Sequence, residues 1–222
     1  MENGVSTNWQ LEYGTFGFTP GSGTLMNLTD TFYQISGLLP LTTYQVYVKS
    51  ICGGGMESSW SPAYSFTTSC PEISTLPLIE NFDTYNTGTG TYPLCWNKLS
   101  SSTTYPYIST TNFTSPGSLY LYASSSGGYC YAITPQFDSS LPLNNLMIEF
   151  KLRNSAVDDT LYVGVMTDPT DQNSFDLVSK FIPTATATWQ DFELYFNNYT
   201  GTGRYIAFKS VYTTTTTTLY VD

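Results

Sequence analysis

The sequence predicts an all-β fold of two domains in series, and three observations carry that prediction. Apolar and polar residues alternate at a period of two in segment after segment. In "NWQLEYG", for example, Trp9, Leu11 and Tyr13 fall on one face, the mark of a half-buried strand. The composition is 41% hydrophobic and 16% aromatic with only 11% charged residues. Such side chains fit a pleated surface, while Gly and Asn supply the turns between strands. No run of apolar residues keeps the 3.6-residue spacing of a helix.

Taken in order, "NWQLEYG" is the first strand and "FGFTPGSGT" a loop of turn formers. "TLMNLTD", "FYQISGL", "LTTYQVYVKSI" and "SSWSPAYSFTT" follow as strands. In the third of these, Tyr44, Val46 and Val48 point one way and Gln45, Tyr47 and Lys49 the other. Strands spaced about ten residues apart with turns between them indicate a sandwich. The stretch "YSFTTSCPEISTLPLIENFD" is a boundary: "YSFTT" closes one domain and "LIENFD" opens the next. The division expected is residues 1–69, a linker at 70–77 and a second domain at 78–222. In the latter, "GSLYLYAS", "GGYCYAITPQF", "NNLMIEFKLRN", "TLYVGVMTD", "FDLVSKFIP", "WQDFELYFNNY", "GRYIAFKSVY" and "TTLYVD" read as strands without intervening helices. That pattern fits a jelly roll.

Charge excludes several functions. The net charge is −10, with seven Lys and Arg against 17 acids. Clustered cations for a phosphate backbone or an anionic membrane are therefore missing, and nucleic acid is not an expected partner. No stretch reaches the ~20 apolar residues of a membrane span. Residues 1–15 lack the basic start and apolar run of a signal peptide, so any secretion signal lies outside this sequence. With no histidine, Ser-His-Asp and Cys-His chemistry and His-ligated metals are excluded. No acid pair stands out for glycoside hydrolysis. "CGGGMESSW" lacks the Lys and following helix of a phosphate loop.

Two resemblances rest on the order of the motifs. "ISGLLPLTTYQVYVKSICGGG" through "SSWSPAYSFTT", with its Leu-x-Pro-x-Thr-x-Tyr run from Leu38 to Tyr44, resembles the second half of a fibronectin type III domain over residues 8–68. "LEYGTFGFTPGSGT" is similar to the variant found in secreted Bacteroidetes proteins. Such a domain carries two further strands before "NWQLEYG". The resemblance thus implies a partial domain, with its early strands absent or supplied by a neighbour through strand addition. Further on, "LIENFD", "YPLCWNK", "GSLYLYA", "YAITPQFD", "NNLMIEFKLR", "LYVGVMTDP", "TWQDFELYFNNYTGTGRYIAFKS" and "LYVD" resemble, in that order, the cleaved-adhesin or choice-of-anchor J jelly rolls. These are relatives of MAM domains and include the adhesin modules that accompany gingipain proteases. The resemblance implies a piece of a longer chain, trimmed at both ends.

Candidate sites follow. For the cysteines the expected pairs are Cys52–Cys70, on adjacent antiparallel strands of the first domain, and Cys95–Cys130 in the second; the alternative is four thiols in a reducing compartment. The jelly-roll resemblance implies that the first and last strands lie side by side. The carboxylates of Glu80, Asp83 and Asp222 would then converge on a structural Ca²⁺ ion, a cation that favours hard oxygen ligands. Asp158, Asp159, Asp168 and Asp171 read as solvated loop acids. Tyr105 and Tyr107, flanking a proline in "TTYPYIS", are expected to be exposed and able to stack on sugar. Tyr129, Tyr131 and Tyr212 are weaker candidates, because tyrosines of a sandwich are mostly structural. The threonine run at 213–218 reads as a solvent-facing strand or hairpin edge. Sequons stand at Asn27, Asn112 and Asn198.

The resulting expectation is a non-catalytic adhesion or ligand-binding fragment of a secreted or cell-surface bacterial protein. A fibronectin-like spacer presents a jelly roll to a host protein, a cell surface or a glycan. The alternatives are a carbohydrate-binding module ancillary to a polysaccharide-degrading enzyme or secreted protease, and a purely structural stalk.

Overall fold

The computed structural model describes residues 8–52 and 56–222. The glycines of "CGGGMESSW" thus fall outside the described residues, as does the segment before "NWQLEYG". The chain divides into two compact units, Met1–Cys70 and Pro71–Asp222, and both are built of strands.

The first unit contains β1 (Asn8–Thr15), β2 (Thr24–Leu28), β3 (Thr43–Ile51) and β4 (Tyr64–Thr67) in one antiparallel sheet of order β2-β1-β3-β4. Leu11 stands opposite Met26 and Val48, and Tyr13 opposite Val46. The period-2 pattern thus gathers one apolar face, as read from the sequence. Among the described residues this unit has a single sheet, so the expected sandwich is present as one layer. Tyr44 is buried at the start of β3, and its hydroxyl accepts a hydrogen bond from the Leu39 N–H at 3.0 Å.

On the opposite face Glu12 is only 2% exposed. Its carboxylate accepts from Gly21 N–H at 2.8 and 2.9 Å and from Gly23 N–H at 2.7 Å. The loop between β1 and β2 is thereby folded over the sheet, with Phe18 edge-on to Tyr47 at 5.3 Å. Gly21 sits at φ 102°, a conformation that a residue without Cβ adopts at little cost.

"FYQISGL" is not a strand. The connection from β2 to β3 must pass β1, which lies between them, and this segment makes that passage as irregular chain without joining either sheet edge. Phe32 is 76% exposed. Phe32 and Tyr33 line, with Trp9, Leu11 and Val48, a concavity of about 390 Å³.

The second unit packs two five-stranded antiparallel sheets. Their strands are β5 (Asn97–Ser100), β6 (Tyr107–Ser109), β7 (Ser118–Ala123), β8 (Tyr129–Ile133), β9 (Met147–Asn154), β10 (Leu161–Met166), β11 (Phe175–Phe181), β12 (Gln190–Tyr195), β13 (Tyr205–Val211) and β14 (Thr217–Val221). One sheet has the order β11-β10-β13-β8-β5 and the other β12-β9-β14-β7-β6. Leu119, Leu121, Leu152, Leu219 and Val221 of the second sheet meet Ala132, Leu161, Val163, Ile206 and Phe208 of the first. Removing one such leucine side chain would cost about 2–5 kcal/mol. A smaller cluster, Tyr131, Ile133, Met166 and Ala207, is buried on the other face of the first sheet. Before β5 the chain is tied to this unit by an Arg204–Glu72 ion pair at 2.6 Å and an Ile73–Phe137 bridge.

"LIENFD" is not the expected opening strand. β14 lies between β7 and β9, bonded to both, which leaves no edge beside it for another strand. Residues 78–83 instead run as irregular chain, with Phe82 buried at φ 59°. Nor is the threonine run wholly solvent-facing: Thr217 is buried and begins β14.

Candidate functional site

Strand alternation in the second sheet builds a tyrosine face. In β7 Leu119, Leu121 and Ala123 are buried, so Tyr120 and Tyr122 project from the opposite side. Leu219 and Val221 likewise turn Tyr220 outward, Ile108 does so for Tyr107, and Phe150 and Leu152 do so for Lys151 and Arg153. Register then aligns them: Tyr107 pairs with Tyr120, Tyr120 with Tyr220, and Tyr220 with Arg153. Three tyrosines and an arginine thus form one row across four strands.

The rings touch. Tyr107 and Tyr120 are 5.0 Å apart edge to face, and Tyr120 and Tyr220 are stacked. Tyr105, just ahead of β6, packs on Tyr107 at 5.5 Å, on Tyr120 at 5.4 Å and on Tyr122 at 4.6 Å. All five tyrosines are half-buried, so each keeps part of its ring open to solvent. Burial raises the hydroxyl pKa of Tyr105 and Tyr107, and that of Tyr120 more strongly, so the phenols stay neutral donors. The Arg153 guanidinium lies 5.3 Å from the Tyr220 ring centre. Next to it on β9, Lys151 is paired with Asp191 and lies 4.1 Å over Phe113; Phe113 is 52% exposed and 6.3 Å from Trp189. Such a surface offers aromatic rings for the apolar face of a flat, hydroxylated ligand, with hydroxyl and guanidinium donors beside them.

Tyr105 and Tyr107 are therefore brought together, although on a sheet face and its edge strand rather than on an exposed loop. Tyr120, Tyr122, Tyr220 and Arg153 join them beyond the residues expected from the sequence, where the alternation in "SLYLYA" and "LYVD" is the signal that points to the tyrosines. Tyr129 and Tyr131 belong to the other sheet. Tyr131 is 2% exposed and its hydroxyl is pushed up to about 12 by burial. The Tyr212 hydroxyl donates to the Thr214 carbonyl at 3.1 Å.

The three acids expected to share a cation are each engaged locally. Glu80 accepts from Phe82 N–H at 2.8 Å and from the Tyr85 hydroxyl at 2.9 Å. Asp222 accepts from Phe113 N–H and Thr114 N–H, both at 3.0 Å, and from the Thr114 hydroxyl at 2.8 Å. Asp83 Oδ2 accepts from Asn81 Nδ2 at 2.9 Å, while its Oδ1 is buried without a hydrogen-bond partner among the described residues. Among the described residues no three acidic or sulfur side chains gather as a metal cage. As a set, then, these carboxylates do not fit the expected calcium site, and only Asp83 keeps an unused buried oxygen. Asp159 is not a solvated acid: it is 3% exposed, accepts from Ala156 N–H and Thr218 N–H, and has its pKa raised by burial. Asp168 and Asp171 are exposed turn acids as expected, accepting from Thr170 N–H and Asn173 N–H.

The disulfide joins Cys70 to Cys95, which corrects both expected pairings. β3 and β4 run antiparallel with Thr43 opposite Thr67. Cys70, beyond the end of β4, therefore lies by the start of β3, whereas Cys52 lies past its far end, some ~30 Å away at about 3.3 Å per residue. In the second unit Asn97 stands opposite Ile133 and Ser100 opposite Cys130. Cys95 precedes β5 at the Ile133 end, roughly 17 Å along the ladder from Cys130. Cys130 is fully buried and its thiol is pushed up to about 11 by burial.

The sequence also did not show a cavity of about 480 Å³, where Phe82, Trp96, Ile148, Phe150 and Phe208 meet beside Leu76 and Leu78. Glu80, Glu149 and Asp222 stand on its lining.

No family profile and no curated protein matches the chain. Several solved structures are similar in shape. The K1 cleaved adhesin domain of Lys-gingipain from Porphyromonas gingivalis W83 is 16% identical with a TM-score of 0.46, over 64% of this chain and 92% of that one. A structure described as showing promiscuous specificity of carbohydrate-binding modules from the β-sandwich superfamily is 13% identical with a TM-score of 0.41, over 100% and 85%. The family 11 carbohydrate-binding module from Clostridium thermocellum, in complex with a β-1,3-1,4-mixed-linked tetrasaccharide, is 14% identical with a TM-score of 0.40, over 61% and 89%. Likeness at this level carries no part of the functional reading, which rests on the tyrosine face.

Proposed function

We propose that the second unit is a non-catalytic binding module whose tyrosine face takes carbohydrate, within an adhesive protein displayed outside the cell. The row Tyr107–Tyr120–Tyr220–Arg153 carries this reading. Core tyrosines turn inward, yet these project from a sheet whose inward positions are filled by Leu, Ile and Val. A surface that keeps contiguous apolar rings half-exposed is suited to a partner, and neutral phenol donors suit a polyhydroxylated one. The Cys70–Cys95 disulfide supports an oxidising compartment. In this proposal the first unit is a fibronectin-like spacer, and the partner is a glycan on a cell or host surface.

A glycan array followed by affinity electrophoresis of the wild type and of Tyr107→Ala and Tyr220→Ala variants tests the reading. Retention by one glycan class, weakened at least tenfold in both variants, supports it. Equal retention of all three proteins moves the site elsewhere, and no retention by any glycan leaves the structural stalk. A glycan found only in plant-type polysaccharide would place the module beside a degrading enzyme rather than in an adhesin. Calcium enters the proposal at one point only, the buried Asp83 Oδ1, as a structural ion apart from the tyrosine face.

A further inference from the structure

Resting on the carbohydrate reading, we infer that the glycan bound by the tyrosine face is acidic, a carboxylate-bearing sugar polymer, and that Arg153 reads its charge. In a chain of seven Lys and Arg and net charge −10, Lys49, Lys151 and Arg204 are paired with Glu57, Asp191 and Glu72. Lys180 and Lys209 belong to β11 and β13 of the other sheet, and Lys98 to its β5. Arg153 alone stands in the tyrosine row, and among the described residues it makes no ion pair.

Its position is prepared. The guanidinium lies against the Tyr220 ring, whose electron-rich face holds a cation. It is flanked on β9 by Lys151, whose charge is already taken up by Asp191. The row ends Tyr107, Tyr120, Tyr220, Arg153, so a sugar lying on the rings would bring its ring substituents to the guanidinium. Hydroxyls need only neutral donors there, which the phenols supply. A carboxylate, in contrast, matches the planar fork of an arginine with two parallel hydrogen bonds, and a neutral sugar would leave that charge unanswered. Of the other acids of this face, Asp222 opposite Lys151 is taken up by Phe113 and Thr114, while Glu149 and Glu193 stand opposite each other on β9 and β12 four residues back along β9, at the end away from the rings. They would repel an acidic chain from that end and set its direction.

The test uses the whole chain and a panel of oligogalacturonate and oligoalginate, each also as its carboxyl-reduced, neutral form. The expected result is at least tenfold tighter binding of one acidic oligosaccharide than of its reduced form, shrinking as salt rises. Arg153→Gln should abolish that preference, the acidic form losing far more affinity than the reduced one; Arg153→Lys should keep part of it, which separates charge from misfolding. Tyr107→Ala should weaken both forms alike. Equal binding of acidic and reduced forms by the wild type, a preference that survives in Arg153→Gln, or array retention confined to neutral glycans would each overturn the acidic assignment and leave the carbohydrate reading standing. If no glycan is retained and Tyr107→Ala changes nothing, both fall together.

Discussion

The ring of Tyr120 lies flat on that of Tyr220, centroids 4.9 Å apart and planes 15° apart, because the register of β7 and β14 sets the two residues directly opposite each other. A stacked cross-strand pair of this kind contributes roughly 0.5–1.5 kcal/mol beyond the area it buries. The face proposed to meet ligand is thus also part of what holds β14 in place.

Alkaline pH should expose that role. Burial pushes Tyr85 and Tyr131 from the ordinary 10.0 to about 12, and Tyr120 higher still. Below pH 10 these hydroxyls are neutral in both folded and unfolded chain and cost nothing. Above it the unfolded chain loses protons that the folded chain retains, so stability falls as pH climbs from 10 towards 12. The melting temperature should drop across that window, with phenolate absorbance lagging until the chain unfolds. Complete phenolate formation near pH 10 in still-folded protein would contradict the burial described here.

Glu12 should be a stability residue of the first unit. Its carboxylate accepts from Gly21 and Gly23 N–H groups at the surface of β1. Glu12→Gln replaces one acceptor oxygen with a donor facing those N–H groups, and a lost hydrogen bond to a charged group costs about 1.5–3 kcal/mol. Urea unfolding should register that loss, and hydrogen exchange should show the Gly21 and Gly23 amides opening first. A change within roughly 0.5 kcal/mol, the range of an ordinary surface substitution, would mean that the loop holds without the carboxylate.

Peptide mapping of the unreduced protein should recover Cys70 linked to Cys95, with Cys130 alkylated only after denaturation. Cys95→Ser opens the loop and, by chain entropy, should lower stability by roughly 3 kcal/mol. Rapid alkylation of Cys130 in the folded protein would contradict its burial and raised pKa.

Calcium and Glu80 should prove separable. Glu80→Ala removes the acceptor for Phe82 N–H and the Tyr85 hydroxyl, so the melting temperature should fall equally in calcium and in chelator. An ion at Asp83 would instead give a calcium-dependent rise, following RT ln(1 + [L]/Kd), that Asp83→Asn removes. Identical melting of the wild type in calcium and chelator rejects the ion.

Period-2 alternation is a local property, and so most strands and their buried faces were legible in the residues. "SLYLYA" and "MIEFKLRN" each sort correctly into inward Leu and Phe and outward Tyr, Lys and Arg. What was not legible depends on partners distant in sequence. Nothing in "LYVD" says that its strand runs between β7 and β9, and that placement is what denied "LIENFD" a neighbour. The cysteine pairing failed for the same reason: strand identity was right, but the antiparallel register puts Cys52 and Cys70 at opposite ends of one ladder. Glu12 alternates out of the Trp9–Leu11–Tyr13 face as a solvent residue should, and only the folding back of a glycine loop buries it. Tyr105 and Tyr107 could be picked out singly, whereas the row they join exists only once four strands are set side by side.

The placement of β14 also bears on mechanics. A pull directed along this strand at Val221 would be shared between its hydrogen bonds to β7 and β9, because a central strand is gripped from both sides. These bonds are loaded in shear and fail together, unlike an edge strand peeled one bond at a time. Under tension the tyrosine face would keep its shape up to a sharp yield point and then lose Tyr220, and with it the row, in a single step.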